Sequence, residues 1–133
     1  MTADLALRTV AVWAIILVLA VANGALREAV LIPWLGTSPG LVLSGLLLSG
    51  LILAVAHLFL PWMAPGSAAQ ACFIGILWLL LTLVFEFSFG LASGKPLSEI
   101  LAAYTLREGN LWPIVMAVTL TAPWLMARLR GWF

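Results

Sequence analysis

A bundle of four transmembrane helices, with a short amphipathic helix at the interface between the third and fourth, is the fold this sequence predicts, on three observations. Hydrophobic residues make up 65% of its 133 residues and charged ones 8%, where a soluble domain carries about 45–50% and about 25%. Four apolar stretches, nearly free of charge, each approach the roughly 20 residues that a bilayer core demands. Glycine and proline cluster between those stretches. A chain so poor in charge cannot cover a globular surface with polar groups, so the surplus apolar area must face lipid.

The first span is placed at about 9–32. No charge stands between Arg8 and Arg27, an interval that at 1.5 Å per residue crosses roughly the 30 Å hydrocarbon core. Ala20-Val21-Ala22 imitates the small-residue cleavage site of a secretory signal. Apolar sequence continues through Leu26, however, and the segment is expected to be retained as a span. The second, third and fourth spans are placed at about 41–60, 71–91 and 111–128, all within one integral membrane domain of 1–133. They must be helices, because lipid offers backbone N–H and C=O groups no partner, and the alternation that a closed barrel needs is missing. Pro33 with Gly36 to Gly40, Pro61 to Gly66, Gly94 to Pro96, and Gly109 are the expected breakers. The interfacial helix, about 98–108, starts from Ser98 as N-cap and spaces Leu97, Ile100, Leu101 and Tyr104 helically.

The charges are too few for several functions. A formal net charge of +1 offers no basic face for a polyanion, which excludes nucleic acid as a partner. Cys72, the single cysteine, leaves no C-x-x-C pair for thiol exchange. The single histidine, His57, cannot alone ligate a haem or a metal, so no cofactor and no metal site are expected. Arg8 before the first span and Arg128 and Arg130 after the last put both termini in the cytoplasm by the positive-inside bias. Lys95, Glu99, Arg107 and Glu108 balance on the far side. Trp34, Trp62, Trp112, Trp124 and Trp132 fall near span ends, as interfacial anchors.

An ionisable group at membrane depth costs about 2–3 kcal/mol or more unless paired or hydrated, so Arg27, Glu28 and Glu86 are the main functional candidates. Glu86 lies nine residues before Lys95, inside the hydrocarbon boundary. Arg27 ends the first span on the same side, and an Arg27–Glu86 pair is the expected contact. Such a pair either locks two helices or lines a site open to the periplasm, with Arg27 holding an anionic oxygen and Glu86 exchanging a proton or cation. Asn23, one turn before Arg27, extends that site or marks close packing beside Gly24. Tyr104, Arg107, Glu108 and Asn110 would cap its outer side or simply be solvated. Gly45 and Ser49, with Ser44 and Gly50, form a small-residue face for helix packing. Pro123 bends the fourth span, His57 is a hydrogen-bonded neutral imidazole, and Cys72 behaves as a small hydrophobe.

No G-x-S-x-G, H-E-x-x-H, Walker loop or dinucleotide fingerprint occurs, so no catalytic residue is assigned. Asn23-Gly24-Ala25-Leu26-Arg27-Glu28, Phe85-Glu86-Phe87-Ser88-Phe89-Gly90 and Ala122-Pro123 together resemble a bacterial family of small four-helix inner-membrane proteins. The resemblance runs over most of the chain; it implies an inner-membrane location and supplies no activity. Small multidrug exporters are similarly four short helices, but their essential carboxylate lies in the first helix, whereas Glu86 is in the third.

Three functions compete. A small transporter, channel or ligand-binding module ranks first, because Arg27, Glu28 and Glu86 exceed what one structural pair needs; it predicts hydrated charges. A non-catalytic accessory or scaffold subunit predicts a dry, satisfied pair. A lipid-modifying enzyme predicts a lipid-shaped groove beside Arg27 and Glu86. The expected partners are the lipid bilayer and either a second copy in a homodimer or a larger membrane complex.

Overall fold

A computed structural model of the chain describes residues 3–102 and 111–131. Helix α1 (Ala3–Leu26) passes through a π-turn (Arg27–Leu31) into the single helical turn α2 (Ile32–Leu35). Then follow α3 (Thr37–Met63), α4 (Ala68–Ala92), the short α5 (Leu97–Ala102) and α6 (Trp112–Leu129). Four of these segments, 3–35, 37–63, 68–92 and 112–129, are long and apolar enough to cross a membrane. The protein is an all-α, multi-pass membrane protein, as its composition requires.

Two of the expected breakers do not break helices. The chain stays helical through Pro33 because a π-turn precedes it, with the Ile32 N–H reaching back five residues to the Arg27 carbonyl. A proline ring has no N–H and crowds the carbonyl four residues earlier, and a widened turn relieves that crowding. The reversal comes instead at Gly36, whose φ of 94° and ψ of 168° are open to glycine alone. Pro61 lies within the last turns of α3, which ends at Ala64 in the left-handed region. Pro61 cannot donate to the His57 carbonyl four residues before it, and Arg130 Nη2 donates to that carbonyl at 2.6 Å. One proline thus frees an acceptor that ties the end of α6 to α3. α4 starts more conventionally, with Ser67 Oγ accepting from the Gln70 N–H at 3.2 Å as N-cap.

The four spans run up, down, up, down, yet their neighbours do not follow chain order. α1 packs on α3 and α4, and α6 packs on α3 and α4, while the backbones of α3 and α4 stay apart across the bundle. Trp78, Ile74 and Ala71 of α4, Val12 and Ile16 of α1, Ile52 and Leu60 of α3, and Val115 and Ala122 of α6 form the core. The closest approach is α4 to α6 at Gly75: a Cβ there would run into the Leu120 backbone carbonyl. Gly45 is likewise tight, a Cβ standing 2.6 Å from Leu111 Cβ just before α6. Ser49 is half-buried, and nothing lies within 4 Å of a Cβ on Gly50. The small face of α3 is therefore used inside the bundle at Gly45 and left open at Gly50.

Arg8, Trp62, Trp124, Arg128 and Arg130 gather at one end. Arg8 sits over the Trp62 ring at 5.6 Å, donates to the Trp62 carbonyl at 2.8 Å and pairs with Asp4 at 3.2 Å. Arg128 lies over Trp124 at 5.6 Å. The other end carries Arg27, Glu28, Trp34 and Lys95, with Glu86 about 9 Å below the top of α4 by helical rise.

Candidate functional site

The N-G-x-x-R-E segment is the top of α1, and each of its residues has a local reason. Asn23 is buried and faces α3: Ser44 Oγ donates to its Oδ1 at 2.6 Å, and its Nδ2 donates to the Ser44 carbonyl at 3.3 Å. Helical side chains lean toward the N-terminus, so Arg27 lies back over the preceding turn. It passes Gly24, where a Cβ would stand in ordinary contact, 3.6 Å from Arg27 Nη2. Arg27 Nε then donates to Glu28 Oε1 at 3.1 Å.

The expected Arg27–Glu86 pair is not formed. Arg27 takes its adjacent carboxylate, because the π-turn that begins at Arg27 brings its fork and the Glu28 side chain together at the end of α1. Glu86 is half-buried on α4 and has no ion-pair partner among the described residues. It stands between Phe85 and Phe89, whose rings stack at 5.7 Å with an interplanar angle of 16°. Gly90 closes the segment, and its carbonyl accepts the Lys95 N–H at 3.0 Å.

Arg27, Glu28, Glu86 and Asn23 nevertheless line one cavity. A cavity of about 540 Å³ lies between α1, α3, α4 and α6, and all four residues line it, joined by Lys95. Phe89 and Trp112 stand at the level of the charges, and deeper in the lining turns aliphatic and aromatic, with Phe85, Leu17, Leu48 and Ile52. Trp112 is thus a cavity wall as well as an expected interfacial anchor. The floor is a polar tie between α1 and α4. Trp13 Nε1 donates to Thr82 Oγ1 at 3.0 Å, and Thr82 Oγ1 to the Trp78 carbonyl at 2.8 Å. Trp78 Nε1 in turn donates to the Thr9 carbonyl at 3.1 Å. A crevice of about 30 Å³, enough for one water, adjoins Asn23 and Ser44.

Sequence reasoning missed the floor and Lys95. Trp13, Trp78 and Thr82 carry no charge, and only the four-residue spacing of Trp78 and Thr82 hints that these two share a face. Tyr104, Arg107, Glu108 and Asn110, the expected outer cap, lie outside the described residues. His57 has an exposed side chain at the opposite end and contributes its carbonyl rather than its ring. Cys72 is exposed there too. Among the described residues no group of His, Cys, Asp and Glu is arranged to hold a metal ion.

The Asn23–Ser44 tie clasps α1 to α3 just beneath the charges. Ser44→Ala removes a donor and leaves Asn23 Oδ1 unpaired, and interhelical bonds of this kind average about 0.6 kcal/mol and reach about 1.7 kcal/mol. A loss near the upper figure is expected, because both groups are buried. Reversible unfolding in mixed micelles measures it. No protein-family model, curated protein or solved structure matches this chain.

Proposed function

We propose that the protein is a small ligand-binding or transport module of a bacterial inner membrane, with both termini cytoplasmic and its site open toward the periplasm. The observation that carries this is the separation of Arg27 from Glu86 across a cavity of about 540 Å³. A scaffold whose charges only fix packing would bring them together and leave no space. Here Glu86 is kept at membrane depth without a protein counter-charge, a cost that water or a ligand in the cavity would offset. Orientation is supported by Arg8, Arg128 and Arg130 collecting at one end beside Trp62 and Trp124, while Arg27 and Lys95 at the other end are equalled in number, though not all paired, by Glu28 and Glu86.

Water access is the test. In a Cys72→Ser background, single cysteines replace Gly24, Phe85 and the lipid-facing Leu80, and reconstituted protein is treated with charged methanethiosulfonates. Thiolate chemistry needs water, so Gly24→Cys and Phe85→Cys should react at least about tenfold faster than Leu80→Cys. Reaction should come from the Arg27 side only. Equal, slow reaction at all three positions would mean a dry bundle and favour the scaffold.

A further inference from the structure

We infer that the occupant of the cavity is a membrane amphiphile with a zwitterionic head, an aminophospholipid of the surrounding bilayer, with one acyl chain lying between α1 and α4; this rests on the ligand-binding role proposed above and names its substrate class. The chemistry of the wall changes with depth. Polar side chains in the lower half are few, and they are spent: Trp13 donates to Thr82, Thr82 to the Trp78 carbonyl, and Thr119 to the Val115 carbonyl at 2.8 Å. A hydrophilic solute sunk to that depth would lose its hydration and find almost no replacement, whereas an apolar chain would lose nothing.

The mouth has the opposite character. Arg27 is matched by Glu28, which leaves the Glu86 carboxylate and the Lys95 ammonium as the cavity-lining charges without an ion-pair partner among the described residues. A head that offers an ammonium to Glu86 and a phosphate to Lys95 and the Arg27 fork answers both. The approach is lateral. Val21 on α1 and Phe89 on α4 line the cavity while each stays 59% exposed, so the cavity reaches the lipid-facing surface between these two helices. Among the described residues the hydrogen bonds between α1 and α4 lie lower down, at Trp13–Thr82 and Trp78–Thr9. A chain can therefore slide in from the bilayer while the phosphate stays at the level of Lys95 and the ethanolamine arm folds down to Glu86.

The test uses the whole protein in vesicles that carry phosphatidylethanolamine with a photoreactive group near the acyl terminus. Peptide mapping should place cross-links around Trp13–Leu17 and Thr82–Phe85. Filling the cavity with Ala20→Phe, or its rim with the lipid-facing Val21→Trp, should remove them in protein whose circular dichroism is unchanged. Glu86→Gln should lower the yield about tenfold for the ethanolamine lipid, the effect of losing one charged hydrogen bond. It should leave an equally labelled phosphatidylglycerol unaffected. Cross-links spread over all exposed faces, and indifferent to Ala20→Phe and Val21→Trp, would overturn the amphiphile. So would binding of water-soluble glycerophosphoethanolamine as tightly as the tailed lipid, which would leave a ligand module standing. Failure of both probes in a cavity that the charged thiol reagents also cannot reach would remove the ligand-binding role itself.

Discussion

Gly75→Val is expected to force α4 and α6 apart and to unfold the bundle in mild detergent. Any Cβ at Gly75 meets the carbonyl of Leu120, and that atom is backbone held inside α6, so it cannot swing aside as a side chain would. Overpacking that flexible groups absorb costs about 1–3 kcal/mol, and here the cost should be about 3 kcal/mol or more. Even Gly75→Ala should be strongly destabilising. Gly50→Ala is the control: with nothing within 4 Å of the new methyl it should stay within about 0.5 kcal/mol of the parent. Thermal unfolding of the purified variants, followed by circular dichroism, checks the pair. Equal midpoints for Gly75→Ala and the parent would mean that α4 and α6 do not pack at this point.

Trp78→Ala should come next in size. The indole is wholly buried and donates to the Thr9 carbonyl at 3.1 Å. Emptying such a site in a soluble core costs about 3–5 kcal/mol. Lipid is as apolar as the core, so the transfer part of that cost fades and the loss of packing remains. A loss of about 3 kcal/mol is expected, near the lower limit of the range for soluble cores. Trp78→Phe keeps most of the packing and drops the bond, so it should cost about 1 kcal/mol. The two variants separate volume from hydrogen bonding. If Trp78→Phe were as damaging as Trp78→Ala, the bond rather than the volume would hold α1 to α4.

The four spans were legible because hydrocarbon thickness imposes a length and forbids most charge, and both constraints are written in residue types. The ends were less so. The helices exceed the apolar runs, reaching Ala3, Met63 and Ala68, because interfacial turns accept Thr, Ser and Pro without penalty. Pro33 and Pro61 signalled ends but act inside helices, one beside a π-turn and the other by freeing the His57 carbonyl for Arg130. Neither compensation is visible without a third dimension. At the site, Arg27, Glu28, Glu86 and Asn23 stood out as polar groups at depth, and one cavity does gather them. Their pairing was not legible, since which carboxylate Arg27 meets depends on the turn that starts at Arg27 itself. Gly75 went unnoticed for a similar reason: an isolated glycine in an apolar run marks a close approach only once the facing backbone is known.

The crossed order of the helices bears on how the protein is made. α4 follows α3 in the chain but is placed across the bundle from it, and α6 is the element that touches both. Until α6 has left the ribosome and entered the bilayer, α3 has only α1 to lean on, and α4 meets α1 through little more than the Thr9–Trp78 and Trp13–Thr82 ties. The last of these four spans to be synthesised is thus the keystone of biogenesis. A nascent chain halted before Trp112 holds the charged residues of the site already in place on α1 and α4, but has no wall to close them in.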